Sequence, residues 1–340
     1  MTTQQDVLFG VGKESVFGTK VTVDHFYEIT DETLDWVPTF TDTSGMRQGR
    51  IVKAADRRVL TKQEAGGSFD LELYAKGMGF LFAAALGTGV STNITGAAFQ
   101  QLISCTTSDY LSSYTLQVGV PPLGGGAQTV QTYSGCVFDG FDIKSGNAGI
   151  PTVKFTVQGK QMDTTTSLAT AAYPAGNFPW SFVQGSIMVG GTLTLPTTTT
   201  LASGGTSAAD IRDYALSWKN NLDKNGFNYG GSGSRSRPPA MGERAGTGTL
   251  TAEYDNTTLR DAWLNQTDLD LVLTFQSQTA ITGSNYPTLQ IVIPDIRLNG
   301  EVPKPNKGDV ITQSIPFEVL DNRSAASPIY VAIVTAETAL

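Results

Sequence analysis

An internal repeat restricts the folds open to this sequence. The run Leu-Asp-Trp at 34–36 is followed by Gly-Ser-Phe-Asp-Leu-Glu at 67–72, and Leu-Ser-Trp at 216–218 is followed by Gly-Thr-Leu-Thr-Ala-Glu at 248–253. The tryptophan precedes the glycine by 31 positions in the first copy and by 30 in the second. Agreement in both residues and spacing indicates that one supersecondary unit is used twice.

The patterning around the repeat is typical of β-strands. Apolar and polar residues alternate in both copies, which predicts antiparallel sheets with one buried face. The examples are Phe69, Leu71 and Leu73 against Asp70 and Glu72, and Leu269, Leu271 and Leu273 against Asp268 and Asp270. A chain of 340 residues with 40% hydrophobic and 16% charged residues has enough material for two cores. We therefore predict an all-β fold.

The repeat predicts two tandem β-sandwich or barrel modules, at 1–165 and 166–340. Each has one short helix candidate directly after the repeated strand, at 77–86 in the first module and after Asn256 or Thr257 in the second. A later strand also corresponds, with 153–157 in the first module aligned to 315–319 in the second. The low-complexity stretch that begins near 163 marks the boundary.

Charge is distributed unevenly along the chain. The net charge is −8 and the pI is about 4.7, which opposes a tight grip on nucleic acid. Residues 43–64 nevertheless carry six cations against two carboxylates, and 226–246 carry three against one. Both stretches lie between the tryptophan and the glycine of the repeat. We expect two long basic loops to project from an acidic body.

The sequence offers little to a catalytic centre. Its single histidine, His25, lies in an early strand candidate, and no nucleophile elbow, Walker loop or zinc-protease motif is present. Cys105 and Cys136 are expected to be free thiols, and Asp268 with Asp270 lacks the glycine and glutamate of a calcium loop. We expect no enzyme activity, cofactor or metal, no membrane span, and no Sec-type export signal at the start.

Three short motifs connect the sequence to a known family. They are the run Gly-Lys-Glu-Ser-Val-Phe-Gly-Thr at 12–19, Tyr-Ser-Gly at 133–135, and the closing strand after Gly308 and Asp309. Over about residues 8–323 the chain resembles the major tail tube proteins of long-tailed, siphovirus-type bacteriophages, in a duplicated-module form. The resemblance implies tail-tube-like β-sandwich or barrel modules that join their sheets in six-module rings. It also implies that long loops stack the rings into a hollow tube.

The same resemblance supplies expectations about partners. The tube would be built around a tape measure protein, meet tail terminator and tail-tip proteins, and pass DNA as non-specific cargo. The protein would belong to the virion and occupy the host cytoplasm during assembly. If six modules close a ring, three chains form a trimeric, pseudo-hexameric ring. A ring of six chains remains open if one module only decorates the outside.

Specific residues follow from these expectations. The basic residues of the two loops are expected to contact the next ring: Arg47, Arg50, Lys53, Arg57, Arg58, Arg235, Arg237 and Arg244. The acidic residues on polar strand faces are candidates to line the lumen, where they would repel phosphates: Asp70, Glu72, Asp268 and Asp270.

Two other classes of function compete with this interpretation. A bacterial surface or fimbria-like β-sandwich adhesin would fit the threonine content, but it would call for an export signal and a disulfide or donor strand. A carbohydrate-active enzyme with β-modules would need carboxylates in an aromatic cleft, and the sequence shows no such cluster. Rings or tubes with a bore in electron micrographs would distinguish the tail tube from both.

Overall fold

A computed structural model describes residues 5–207, 210–300, 302–305 and 307–340 of the chain. In these residues the helices are α1 (Met78–Leu86) and α2 (Thr258–Asn265), with short 3₁₀ turns at Ala55–Arg57 and Phe182–Gln184. The strands of the first half are β1 (Leu8–Lys13), β2 (His25–Phe26), β3 (Asp31–Glu32), β4 (Asp35–Asp42), β5 (Arg58–Glu72), β6 (Gly87–Thr95), β7 (Ala98–Cys105), β8 (Tyr114–Val120), β9 (Thr129–Ser145), β10 (Thr152–Gly159) and β11 (Gln161–Asp163). Those of the second half are β12 (Gly185–Val189), β13 (Leu193–Thr194), β14 (Ser203–Gly204), β15 (Ile211–Lys219), β16 (Ala245–Glu253), β17 (Leu269–Gln276), β18 (Thr288–Leu298), β19 (Thr312–Val319) and β20 (Tyr330–Thr335). The predicted all-β class is confirmed.

The helices lie where the sequence predicts them, each directly after the repeated strand. The side chain of Asn256 accepts a hydrogen bond from the Thr258 N–H at 2.9 Å, which satisfies one of the free donors at the start of α2. Helix α1 ends at Gly87, whose φ of 97° is in the left-handed region that a glycine adopts without a steric penalty. All residues of α1 except Ala83 are buried, so this helix is part of the core rather than a cover over it.

The two halves of the chain repeat one strand order. Hydrogen-bonded neighbours run β4–β5–β10–β9–β8–β1 in the first half and β15–β16–β19–β18–β17–β12 in the second. Trp36 lies opposite Ala65 and Trp218 lies opposite Gly246, in each case two residues before the signature glycine. The sequence repeat therefore corresponds to a repeat of topology and register, while the division at 165/166 stays a prediction.

One alignment made from the sequence is wrong by two residues. Phe155 lies opposite Phe69, and Ile315 lies opposite Leu250, which is the repeat partner of Phe69. Strand β19 is thus the partner of β10, as expected, but Ile315 corresponds to Phe155 and not to Val153. A shift of two keeps every side chain on its own face, so alternation alone could not detect it.

The two halves form one sheet across their junction. The long strand β9 pairs with β8 and β11 through its first part, and with β10 and β15 through its second part. At this joint Leu216 lies opposite Ile143 and Trp218 lies opposite Phe141. The result is a continuous run β4–β5–β10–β9–β15–β16–β19, which we call the joined sheet.

A second connection comes from the C-terminal strand. β20 lies between β18 of the second half and β7 of the first, pairing with both, and all six of its residues are buried. One hydrophobic cluster runs through both halves and includes Phe69, Phe155, Trp218 and Ile291. Packing as well as backbone pairing therefore holds the halves together.

A buried carboxylate fixes the N-terminal segment. Glu14 is 6% exposed, and its oxygens accept hydrogen bonds from the Ser113 and Thr115 hydroxyls at 2.7 and 2.9 Å and from the Gly18 and Gly135 N–H groups at 2.8 Å. Gly135 has a φ of 67°, and an added Cβ would lie 2.7 Å from the Lys160 Cβ. The motifs at 12–19 and 133–135, two of the three behind the family resemblance, therefore meet at Glu14 and hold β1 in place.

Histidine and cysteine have structural surroundings. The His25 ring stacks on Phe80 with centroids 3.8 Å apart and lies 2.7 Å from the Asp24 carboxylate. Cys105 is half-buried and Cys136 is buried, and both are free thiols, as predicted. Burial raises the pKa of both thiols, which lowers their reactivity as nucleophiles.

Candidate functional site

The first basic loop extends away from the body of the protein. The pairing of β5 with β10 begins at Ala65. The preceding strand residues, Arg58 to Glu64, extend past the end of β10 and pair with β4. At roughly 3.3 Å per residue, the hairpin of β4 and β5 reaches about 23 Å past the end of β10. Residues 43–57 connect its two strands at the tip, and we call the hairpin with this loop the arm.

The tip of the arm is basic and apolar. Of the predicted contact residues, Arg47, Arg50, Lys53, Arg57 and Arg58 all lie here and are exposed. Met46 and Ile51 are fully exposed, with relative accessibilities of 105% and 102%. These two side chains contribute no hydrophobic free energy to folding, because their apolar surface stays in water. Exposed apolar side chains among cations are typical of a surface that binds a partner.

The second basic loop does not project. Residues 220–244, which we call the buttress loop, fold back against the base of the arm. The Gln63 N–H donates to the Gly233 carbonyl at 2.8 Å, and the Lys62 ammonium lies 4.4 Å from the Phe227 ring centroid. The two copies of the loop therefore have different roles.

Arg235 is a correction to the predicted contact set. Its side chain is 3% exposed and pairs with Glu64 at 3.1 Å. It also donates to the Gln158 side chain at 3.3 Å and to the carbonyls of Asp223 and Asn225. Burial lowers the pKa of this guanidinium, and the Glu64 carboxylate opposes that shift. A cation that is buried and paired inside its own chain is not available to contact another molecule.

The other two arginines of the second loop are also engaged within the chain. Arg237 pairs with Asp223 at 2.6 Å, and Arg244 donates to the Thr106 carbonyl at 2.7 Å. Both are half-buried. The structure thus separates the eight predicted contact residues into five on the arm and three that fix the buttress loop.

The joined sheet has one apolar and one polar face. The apolar side chains enter the core, and the opposite face carries mainly short polar and charged residues, among them Asp70, Glu72, Asp142, Lys144, Lys154, Ser217, Thr247, Thr249, Glu253 and Glu318. A shallow depression of ≈ 550 Å³ crosses the joint on this face, between Asp142, Ser217 and Glu318. The polar face is the surface that combines both halves of the repeat.

The four acidic candidates do not share this face. Asp70 and Glu72 belong to it, and Asp70 pairs with Lys154 at 3.6 Å. Asp268 and Asp270 lie at β17, which pairs with β12 and β18 outside the joined sheet. Asp270 is 8% exposed, and burial raises the pKa of its carboxyl. Alternation identified the polar side of each strand but not the sheet to which the strand belongs. In the repeat, the residues equivalent to Asp70 and Glu72 are Thr251 and Glu253.

The joined sheet ends in an open edge at β4. Among the described residues β4 pairs with β5 alone, whereas its repeat partner β15 has neighbours on both sides. Trp218 is accordingly 2% exposed, while the equivalent Trp36 is only half-buried. The sequence displayed both tryptophans, but this difference in burial appears only in the structure.

At the other end of the joined sheet, next to β19, lies the end of β18. In the repeat, β18 is the equivalent of β9. Leu298 lies opposite Phe317 as Phe138 lies opposite Val157, and Asn299-Gly300 follows as Asp139-Gly140 does. By sequence register residues 302–305 correspond to 142–145, the part of β9 that pairs with β15, but they belong to no strand and the pairing of β18 with β19 stops at Leu298. The open edge of β4 and residues 302–305 are thus the two segments whose repeat partners form the joint inside the chain.

The described residues contain no cluster of histidine, cysteine, aspartate or glutamate that could hold a metal ion. Neither α1 nor α2 is long and apolar enough to cross a membrane.

A duplicated, mostly antiparallel β-protein with a polar joined sheet, an open sheet edge and an exposed arm belongs to the class of structural β-proteins. The family model described as phage tail tube protein matches residues 4–319, and the chain belongs to that family. It is a structural tail tube protein and a component of the virion tail. No curated protein matches the chain.

Proposed function

We propose that the protein polymerises into stacked rings that form the hollow tail tube, and that DNA passes through this tube during ejection. The observation that carries the proposal is the joint between β9 and β15. It shows how one module of this repeat extends the sheet of another by backbone pairing. A ring needs the same joint between chains, for which β4 would supply one half and residues 302–305 the other.

The contact between the sheets of neighbouring chains, which we call the seam, follows from the repeat. Strand β4 of one copy would lie beside residues 302–305 of the next, as β15 lies beside β9. Pro303 and Pro305 have no N–H group to donate, so this seam has fewer hydrogen bonds than the joint inside the chain. A seam weaker than the internal joint allows chains to remain separate until rings form.

The composition of the ring follows from the modules. With six modules per ring and two per chain, the ring is a trimer with pseudo-sixfold symmetry. Its polar sheet faces would line the bore with carboxylates and short hydroxyl side chains, which do not retain phosphates. The arm would contact the next ring through Arg47, Arg50, Lys53, Arg57 and Arg58.

Further partners belong to the same proposal. A tape measure protein would occupy the bore during assembly, and tail terminator and tail-tip proteins would meet the ends. Assembly would take place in the host cytoplasm, and the role would be architectural and not enzymatic. Family membership favours this function over the adhesin and the carbohydrate-active enzyme.

Electron microscopy of the purified protein tests the proposal. We expect rings or tubes with a central bore, and cryo-EM averaging should resolve three chains per ring. Six full chains per ring would reject the trimer. Compact monomers at every protein concentration, in the presence of a tail-tip complex to start assembly, would reject the tube function itself.

A further inference from the structure

An apolar pocket opens at the end of the joined sheet that faces away from the arm. Ala215, Lys144, Thr152 and Glu72 lie side by side across four strands, at the end of β5 opposite the arm. The neighbouring residues Ile211, Arg212 and Tyr214 line the pocket. The pocket and the arm therefore lie at opposite ends of the molecule along the strand direction.

The pocket is large enough for a side chain of another molecule. Its volume is ≈ 360 Å³, and its apolar walls are formed by Phe182, Ile187, Ile211, Leu273 and Phe275. The Tyr214 hydroxyl in this wall is buried, and it has no hydrogen-bond partner among the described residues. That hydroxyl is itself inaccessible, so the pocket offers an incoming side chain its apolar walls and not this donor.

The rim of the pocket is acidic. Asp210, Asp213, Glu253 and Asp255 lie at this end of β15 and β16 with two cations, Arg212 and Lys144, and Arg212 pairs with Glu253 at 3.6 Å. The Glu253 N–H donates to the Asp210 carbonyl at 2.9 Å, which holds the two strand ends together. The arm tip has the opposite charge, so the two surfaces are complementary.

We propose that this pocket binds the arm of a second copy of the chain. Met46, Ile51 or Val52 of the arm tip enters the apolar pocket, and the surrounding arginines face the acidic rim. One arm and one such pocket per chain would connect each copy to one copy in the next ring. This inference rests on the proposed stacking of rings, and it adds the surface that receives the arm.

Disulfide trapping in assembled tubes tests the pocket. The variant with Ile51→Cys and Ser186→Cys places one thiol on the arm tip and one on the exposed rim of the pocket. The control combines Ile51→Cys with Leu123→Cys, because Leu123 is 90% exposed in the loop between β8 and β9. The unmodified chain shows the background from Cys105 and Cys136.

We expect mild oxidation to give a ladder of cross-linked multimers on non-reducing gels for the Ser186 pair and not for the Leu123 pair. Absence of the ladder in tubes with intact rings and bore would overturn the pocket assignment and leave the tube function standing. Failure of the unmodified chain to form rings would instead reject the function, and the pocket with it.

A second measurement does not depend on disulfide geometry. Met46→Asp with Ile51→Asp changes two side chains that contribute nothing to the core, so each chain should fold and rings should form. We expect mean tube length to fall at least tenfold, while Leu123→Asp leaves it unchanged. Equal tube lengths for the two variants would contradict the pocket assignment.

Discussion

At the scale of single residues, the charged groups of this protein divide by burial. Glu14 and Arg235 are both nearly inaccessible, and each has several hydrogen-bond partners within the chain. The basic residues of the arm tip are exposed. Charge alone did not separate these two groups in the sequence, because the partner of Arg235 is Glu64, which lies far away along the chain.

Removing the Glu14 carboxylate should destabilise the chain strongly. Glu14→Ala leaves four donors without their acceptor, and we expect the free energy of unfolding to fall by about 3 kcal/mol. Urea denaturation of the unassembled chain measures this, with exposed Glu318→Ala expected to change stability by less than about 0.5 kcal/mol. Equal stability of the two variants would show that Glu14 does not anchor the N-terminal segment.

At the scale of secondary structure, the repeat provides a comparison within one molecule. Strands β4 and β15 have the same place in their halves, but β15 is paired on both sides and β4 on one. The comparison holds for the stretch that both strands share, residues 35–37 of β4 and 217–219 of β15, which includes Trp36 and Trp218. The proposed seam predicts that assembly abolishes this difference.

Hydrogen exchange measures that prediction. In the unassembled chain we expect amides of residues 33–37 to exchange faster than those of 215–219 by at least tenfold, because the outward N–H groups of Leu34 and Trp36 donate only to the nearby carboxylates of Glu32 and Asp35 and not to a neighbouring strand. In tubes both segments should be protected. Continued fast exchange at 33–37 in intact tubes would place the seam elsewhere.

Much of this organisation was predictable from the sequence, and the rest was not, for identifiable reasons. The repeat, both helices and the alternating strands follow from short-range patterns such as Phe69 to Leu73. The pairing of β9 with β15 could not be predicted, because periodicity does not identify which strand lies beside Trp218. The buttress loop was misjudged for the same reason, since its position depends on contacts with Gln63 and Glu64.

At the scale of the whole molecule, both halves contribute equivalent strands to the polar face of the joined sheet, β5 and β10 from the first and β16 and β19 from the second. Ser217 and Thr249 lie at its centre, beside Asp142 and Glu318. In the proposed ring this face encloses the bore. Its carboxylates and short hydroxyl side chains would be the property that lets DNA slide past.

Adding positive charge to this face should create DNA retention. We expect tubes of a Ser217→Lys and Thr249→Lys variant to co-sediment with a labelled single-stranded oligonucleotide at low salt and to release it as salt rises. Tubes with Leu123→Lys serve as the control for charge outside the bore. Equal retention by both variants would show that the polar face does not line the lumen.

The fusion of two modules into one polypeptide has a kinetic consequence. In the proposed trimer, half of the seams are present before any two molecules meet, at an effective local concentration that dilution cannot lower. Ring nucleation then requires fewer molecules to meet than it would if each module were a separate polypeptide. Assembly should therefore begin at lower protein levels, and subunits could not be lost singly from alternate positions around the circumference.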